Sequence, residues 1–137
     1  MSYIYDTSFI CSLIIPDEKN SRSEEVHTAI SDDELIYVPQ LLWYEVTNVF
    51  KNLLRRKRYS YDEILEFYEP LVAIRLTFDR EEGVEYSKKI LRLCNDYNLS
   101  SYDATYLELA DRKGAVLYTL DEGLRTAAKK YGVKVIK

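Results

Sequence analysis

Short apolar runs alternate with longer helix-like segments along almost the whole chain, and this alternation limits the folds that are open to it. Five runs have the length and composition of strands: Ser2 to Asp6, Leu35 to Val38 (closed by Pro39), a run within Leu71 to Phe78, Ala115 to Thr119, and Val133 to Ile136. Strands separated by helices form parallel sheets with helices on both faces and right-handed crossovers. The pattern therefore predicts an α/β/α sandwich with a parallel sheet of about five strands.

The segments between these runs carry helix signals. The strongest covers Gln40 to about Arg56, where apolar residues recur every three or four positions. We also expect helices at Thr7 to Pro16, Lys19 to Asp33, Tyr61 to Tyr68 with a stop near Pro70, Arg80 to Tyr97 capped by Asp79, Ser100 to Arg112, and Leu124 to Tyr131. Because the chain has 137 residues and no linker rich in Gly, Ser or Pro, we expect one domain, residues 1–137.

The sequence predicts a cytoplasmic protein without a membrane partner. Asp6 interrupts the first apolar run, and Pro16 ends the second one far short of the roughly 20 residues that cross a bilayer. Cys11 and Cys94 lie far apart without metal-ligand spacing. We therefore expect both to pack as small apolar residues in a reducing compartment.

Four acidic residues stand where acids are unusual. Asp6 and Asp121 follow the first and fourth strands, while Glu45 and Asp103 interrupt the apolar faces of their helices. Each has an ordinary explanation: Asp6 and Asp121 as helix caps, Asp103 in a capping box with Ser100, and Glu45 at the edge of the core or in an ion pair. Ligand sites of parallel sheets lie outside the carboxyl ends of the strands, so the joint pattern predicts one acidic pocket.

An acidic pocket of this kind predicts metal-dependent chemistry. Four crowded carboxylates repel one another, and divalent cations remove that repulsion; ligation by oxygen alone favours Mg²⁺ or Mn²⁺ over zinc. His27 is the single histidine, and its charged neighbours indicate a solvent-facing helix side. Thr7, Ser8 and Thr119 lie beside the acids, where their hydroxyls could orient a carboxylate or a water; capping and strand propensity are the ordinary alternative.

The net charge of −4 argues against capture of nucleic acid by the whole surface. One basic run stands out, made of Arg55, Arg56, Lys57 and Arg58 and followed by Tyr59 and Tyr61. Cations beside aromatic rings suit single-stranded RNA. The alternative is a solvated helix C-terminus, where basic residues interact favourably with the helix dipole.

Four motifs together resemble the PIN-domain ribonucleases, specifically the VapC-type toxins of toxin–antitoxin pairs. They are Tyr5-Asp6-Thr7-Ser8, Leu42-Trp43-Tyr44-Glu45-Val46, Leu99-Ser100-Ser101-Tyr102-Asp103-Ala104 and Leu117-Tyr118-Thr119-Leu120-Asp121. The resemblance covers nearly the whole chain and assigns Asp6, Glu45, Asp103 and Asp121 to the family's acidic quartet, with Thr119 as its accompanying hydroxyl. It implies a PIN-like fold, endonucleolytic cleavage of RNA with Mg²⁺ or Mn²⁺, a homodimer, and a VapB-type antitoxin that blocks the site.

Three other interpretations use the same residues. The same metal chemistry could act on DNA, on structured junctions or in rRNA processing, although 137 residues hardly allow the extra modules of DNA nucleases. A receiver-like signalling domain also places acids and Mg²⁺ at strand ends, but it needs an acidic pair where Asp6 is followed by Thr7, and it leaves Glu45 and Asp103 unexplained. The third alternative is a catalytically silent binding module, which a cleavage assay would distinguish from the nuclease.

Overall fold

Five parallel strands form one sheet in the computed structural model, which describes residues 1–136. The strands are β1 (Ser2–Tyr5), β2 (Leu35–Pro39), β3 (Thr77–Asp79), β4 (Val116–Tyr118) and β5 (Val135–Ile136). Their order is β3-β2-β1-β4-β5, and each neighbouring pair is parallel. The predicted parallel α/β sandwich is confirmed.

The strand order separates this sheet from that of a receiver domain. Receiver domains have the order 2-1-3-4-5, whereas here the chain moves from β1 to β2 and β3 on one side and then returns to the other side of β1. The direction in which successive strands are added to the sheet therefore reverses between β1 and β4. In open α/β sheets this switch point opens a crevice above the carboxyl ends of the strands, where ligands bind.

Helices fill the connections between the strands. They are α1 (Thr7–Ile14), a short 3-10 helix (Pro16–Glu18), α2 (Ser21–Thr28), α3 (Leu41–Arg55), α4 (Tyr61–Glu66), α5 (Tyr68–Ala73), α6 (Val84–Tyr97), α7 (Ser101–Lys113) and α8 (Glu122–Tyr131). None of the helices within residues 1–136 combines the length and apolarity of a membrane span.

Two apolar clusters hold the helices on the sheet. Tyr3 and Tyr5 of β1 point into the cluster beneath α1 and α3, while Ile4 points into the cluster beneath α7 and α8. This alternation is the period of two expected of a strand that is covered on both faces. Cys11 is buried in the first cluster and Cys94 is partly buried, and both are free thiols.

His27 differs from its prediction as a solvent-facing residue. Its ring is half-buried, and Nδ1 lies 2.7 Å from the hydroxyl of Tyr5, whose side chain is fully buried. Burial lowers the pKa of His27. The physical reason is that a buried tyrosine hydroxyl needs a hydrogen-bond partner, and His27 supplies it from α2.

The predicted helix boundaries near Pro70 and Asp79 are wrong. Pro70 lies in the first turn of α5, where proline is tolerated because the backbone N–H it lacks has no partner within the helix. The helix predicted from Arg80 begins at Val84 instead. Asp79 does not cap it, because both carboxylate oxygens of Asp79 accept hydrogen bonds from Arg112, at 3.0 and 2.6 Å.

The helix predicted from Lys19 to Asp33 is also shorter than expected. It covers only Ser21–Thr28, and the side chain of Asn20 caps it by accepting hydrogen bonds from the backbone N–H groups of Arg22 and Ser23. The residues that follow form a turn before β2. Helix periodicity alone did not reveal these ends because the segment is mostly polar, with Val26, Ala29 and Ile30 as its few apolar residues.

Candidate active site

The candidate site lies at the carboxyl ends of β1 and β4, the two strands between which the order of strand addition reverses. The register pairs Tyr5 with Tyr118, so the residues that follow them, Asp6 and Thr119, emerge side by side. Glu45 lies near the N-terminus of α3 and Asp103 near that of α7. Four segments that are distant in sequence thus contribute to one edge of the sheet.

Asp6 is the most buried of the predicted acids, with 4% of its surface exposed. Oδ1 accepts hydrogen bonds from Ser8 Oγ at 2.7 Å and from the backbone N–H of Phe9 at 2.9 Å. Oδ2 accepts a hydrogen bond from Thr119 Oγ1. Asp6 therefore caps α1 and also lies in the candidate site. Helix capping and a functional role are thus compatible for this side chain.

Burial makes ionisation of Asp6 costly. Loss of water around the carboxylate raises the pKa of Asp6 to about 6, although the hydrogen bonds from Thr119, Ser8 and Phe9 act in the opposite direction. The charge of Asp121 raises it further. Three hydrogen bonds to the ionised form thus do not offset the cost of removing a carboxylate from water.

Glu45 is held by two hydroxyl groups from other segments. Its Oε1 accepts a hydrogen bond of 2.8 Å from Thr7 Oγ1 and one of 2.6 Å from the hydroxyl of Tyr106. Tyr106 is 1% exposed, and its burial together with the charge of Glu45 raises the pKa of Tyr106, so this hydroxyl remains a donor. Both bonds fall on Oε1, which leaves Oε2 free for another ligand.

Asp103 and Asp121 complete the acidic group. Burial raises the pKa of Asp103 to about 6, and the charges of Asp121, Asp6 and Glu45 contribute to the same increase. Asp121 is exposed and caps α8 by accepting a hydrogen bond of 2.8 Å from the N–H of Leu124. Because the other three acids act on the ionisation of Asp103, the four carboxylates share one electrostatic environment.

The donor set fits a hard divalent cation, since it consists of carboxylate and hydroxyl oxygens. Glu45 Oε2 and both oxygens of Asp103 accept no hydrogen bond from the described part of the chain, so these oxygens are available. As placed, no three acidic, histidine or cysteine side chains within residues 1–136 stand close enough to share one ion. Electrostatic interactions thus link Asp103 to the other three acids, and the role of the four as a ligand set stays a prediction.

The three predicted hydroxyl residues each contact an acid. Thr7 donates to Glu45, whereas Ser8 and Thr119 both donate to Asp6. Ser8 Oγ and Thr119 Oγ1 also accept hydrogen bonds of 3.0 Å from the backbone N–H groups of Leu120 and Asp121, respectively. These bonds connect the loop after β4 to the start of α1 and hold Asp6 between them.

The predicted basic run lies away from the acids. Arg55, the first of its four residues, is ten positions after Glu45 on α3, which corresponds to about 15 Å along the helix axis. Arg58 forms an ion pair of 3.0 Å with Asp17. RNA binding by Arg55, Arg56, Lys57 and Arg58 stays a prediction.

Sequence reasoning missed two residues that organise the site. Tyr106 lies three positions after Asp103 on an apolar helix face, and the signal was its hydroxyl, which has to find a partner when the ring is buried. Arg125 is buried in α8, where it donates to the carbonyl of Thr119 at 3.2 Å and to Glu122 Oε1 at 2.6 Å. No sequence pattern identifies Arg125, because basic residues in the middle of a helix are usually solvated.

The sequence matches the family model described as PIN domain over residues 3–130. It is also similar to Ribonuclease VapC3 from Pyrobaculum aerophilum, with 31% identity over 124 residues that cover 90% of this chain and 92% of the relative. The match to the family model spans all four predicted acids.

Solved structures with the same fold align with nearly the whole chain. The crystal structure of PAE2754 from Pyrobaculum aerophilum aligns with a TM-score of 0.71 and 20% identity, covering 98% of this chain and 92% of that one. FitAcB from Neisseria gonorrhoeae aligns with a TM-score of 0.68 and 17% identity, covering 98% and 96%. VapBC2 from Rickettsia felis, bound to a DNA fragment from their promoter, aligns with a TM-score of 0.65 and 13% identity, covering 100% and 98%.

Proposed function

The chain belongs to the PIN-domain family, and on this premise we propose that it is an Mg²⁺- or Mn²⁺-dependent endoribonuclease, the toxin of a VapBC-type pair. The identity of 31% to a relative named Ribonuclease VapC3, over nine-tenths of both chains, supports the reaction class. The observation that carries the proposal for the site is geometric: Asp6 and Thr119 follow the paired strands β1 and β4, and Thr7, the next residue after Asp6, donates a hydrogen bond to Glu45.

Divalent cations supply the missing positive charge in this proposal. Asp6, Glu45, Asp103 and Asp121 would hold them, and a bound cation would stabilise negative charge on the scissile phosphate and lower the pKa of a bound water. Electrostatics favours a bound cation, because burial and neighbouring charges oppose the ionisation of Asp6 and Asp103 and nearby positive charge would promote it.

The protein's own residues have two roles in this proposal: some hold a carboxylate in one orientation by hydrogen bonds, and one accepts a proton. Thr119, Ser8 and the Phe9 N–H hold both oxygens of Asp6 in one orientation, and Thr7 with Tyr106 holds Oε1 of Glu45. Asp103 accepts no hydrogen bond from the described residues, so its oxygens can contact a water molecule. In the proposal Asp103 orients the attacking water and accepts its proton.

The partners follow from the same assignment. A VapC-type ribonuclease acts on RNA and is paired with a VapB-type antitoxin, and the solved VapBC2 assembly of Rickettsia felis shares the fold of this chain. We extend the proposal to a homodimer that works in the cytoplasm. Co-purification of the chain with the product of a small neighbouring gene would support the antitoxin pairing.

A cleavage assay on total RNA, with and without Mn²⁺, tests the proposal. The parent protein should cut RNA only with the metal, and Asp103→Asn should not cut. Asp111→Asn is the matched control: it lies on the same helix, and asparagine can still accept the hydrogen bond that Asp111 receives from Tyr131 at 2.7 Å. Parallel panels of RNA and DNA distinguish the ribonuclease from a deoxyribonuclease. Absence of metal-dependent cleavage by the parent would leave only a binding role.

A further inference from the structure

A cleft of about 1050 Å³ opens beside the acids, between α8 and the connection from α6 to α7. Asp103 and Asp121 line it, and its polar lining also includes Asn98, Ser100, Thr126 and Lys130. The cleft is thus continuous with the candidate active site, and its size is at the upper end of the range of ligand sites.

The α8 side of the cleft is built from small residues. Gly123, Thr126, Ala127 and Lys130 all line it, and their spacing of three and four positions puts them on one face of the helix. Three of the four, Gly123, Thr126 and Ala127, are small residues. Lys130 is the fourth, and it lies at the end of this face that is farthest from Asp121.

Charge distribution distinguishes Lys130 from the other charged residues of the cleft. Asp96 pairs with Arg92 at 3.7 Å and Glu122 with Arg125 at 2.6 Å. Asp103 and Asp121 belong to the proposed cation site. Lys130 is the one cation that lines the cleft in the described part of the chain, and it forms no ion pair with any residue there.

We propose that this cleft holds the RNA strand next to the scissile phosphate, and that Lys130 binds a backbone phosphate there. The inference rests on the proposed ribonuclease function and adds the path of the substrate. Lys130 lies nine positions after Asp121, about 14 Å along the helix axis, and helical side chains tilt towards the N-terminus, which here is the end at the acids. A flexible lysine in this place reaches a phosphate on a nucleotide that flanks the cleavage point.

Lys130→Gln tests the assignment, and Lys129→Gln is its matched control. Both residues are exposed in the last turn of α8 and lose the same charge, but only Lys130 lines the cleft. Binding of a short, end-labelled single-stranded RNA of mixed sequence is measured at several salt concentrations, in the Asp6→Asn background so that the RNA stays intact. A phosphate contact carries no base information, so the effect should be similar for all sequences.

We expect Lys130→Gln to weaken RNA binding several-fold and to reduce the slope of log K against log salt by about 0.7, the value for one phosphate contact on a single strand. Lys129→Gln should show the same slope as the parent. Equal slopes for both variants would overturn the proposal. Loss of affinity for the antitoxin alone, with unchanged RNA binding, would also overturn it, because the cleft would then be a protein-binding surface.

Thr126→Trp gives a second, independent test because it fills the cleft without changing any charge. We expect the variant to cut total RNA at least tenfold more slowly while its Mn²⁺ affinity and melting temperature stay close to those of the parent. Unchanged cleavage by Thr126→Trp would show that RNA does not pass through the cleft. Metal-dependent cleavage by the parent, measured in the same series, separates failure of this inference from failure of the proposed function.

Discussion

Tyr106 donates a hydrogen bond of 2.6 Å from its buried hydroxyl to Oε1 of Glu45. The bond joins α7 to α3, the two helices that bring Asp103 and Glu45 to the site. Thr7 adds a hydrogen bond of 2.8 Å to the same oxygen and lies 2.9 Å from the Tyr106 hydroxyl, which connects α1 to this pair. The orientation of Glu45 therefore depends on a residue that does not itself bear a charge.

Tyr106→Phe should weaken divalent-metal binding and slow RNA cleavage while the fold persists. The substitution removes one of two hydrogen bonds to Glu45, and hydrogen bonds to charged groups contribute about 1.5–3 kcal/mol. If only part of this is expressed in metal binding, we expect Mn²⁺ affinity to fall roughly tenfold. Calorimetric Mn²⁺ titration measures the change without relying on activity.

Tyr102→Phe is the control for this experiment, because Tyr102 also lies on α7 next to Asp103 but is 57% exposed. Its Mn²⁺ affinity should equal that of the parent. Identical Mn²⁺ titrations for Tyr106→Phe and the parent would show that Thr7 alone is sufficient to orient Glu45.

Asp6→Asn should abolish metal-dependent cleavage and raise the melting temperature in EDTA by a few degrees. Asparagine keeps the oxygen that accepts from Ser8 and Phe9, and its amide can donate to the Thr119 hydroxyl, so the surrounding bonds persist with one reversed direction. The melting temperature rises because a buried carboxylate close to Asp121 is replaced by a neutral group. Glu82→Gln, at an exposed position before α6, controls for loss of charge alone. Cleavage by Asp6→Asn at the parental rate would remove Asp6 from the mechanism.

Asp6 and Asp103 should make the metal-free protein less stable as the pH rises from about 4 to 6. Asp6 and Asp103 have a pKa of about 6 in the folded protein against an ordinary value of 3.8, so in this window the folded state holds more protons than the unfolded chain. Stability then decreases with pH. For Asp6 the difference corresponds to at most roughly 3 kcal/mol; the contribution of Asp103 is smaller because this residue is partly exposed to solvent.

Urea unfolding in EDTA at several pH values measures this effect, and the comparison with Asp6→Asn isolates it. Other carboxyls work in the opposite direction, because the pKa of Asp79 is lowered by its hydrogen bonds from Arg112. The stability of Asp6→Asn relative to the parent should therefore increase from pH 4 to pH 6. A relative stability independent of pH would mean that Asp6 ionises in the folded protein as it does in the unfolded chain.

The sheet was predictable because strand and helix periods differ along this chain. Each of the five runs singled out by composition contains or adjoins a strand, and β1 alternates between the two faces as expected for a covered parallel strand. Helix ends were less predictable. At Asp79 a local capping signal competed with a contact to Arg112, which is 33 positions away, and only tertiary structure decides such a competition.

The four proposed acids stood out in the sequence because carboxylates at strand ends and on apolar helix faces are unusual. The groups that orient them were less visible. Tyr106 reaches Glu45 across 61 positions, and the cleft that contains Lys130 forms only when α8 lies beside the connection from α6 to α7. The contacts of residue types with an ordinary structural role, such as tyrosine and lysine, become visible only once the packing is known.

Arg112 should contribute more to stability than any exposed ion pair of this protein. Its guanidinium donates two hydrogen bonds to Asp79 and two to Glu108, and these three side chains are 24%, 10% and 6% exposed. Arg112→Ala leaves two largely buried carboxylates without a partner, which typically costs about 3–5 kcal/mol. Arg112→Lys should recover only part of the loss, because an ammonium group cannot form both bidentate contacts.

Arg92→Ala is the control for this prediction, since the pair of Arg92 with Asp96 is 3.7 Å long and largely exposed. We expect it to change the free energy of unfolding by less than about 0.5 kcal/mol. Urea unfolding at neutral pH measures all three variants. Because Arg112 joins β3 to α7 and contacts none of the four acids, Arg112→Lys should bind Mn²⁺ as the parent does. A loss below about 1 kcal/mol for Arg112→Ala would show that desolvation of the three charges nearly cancels their attraction.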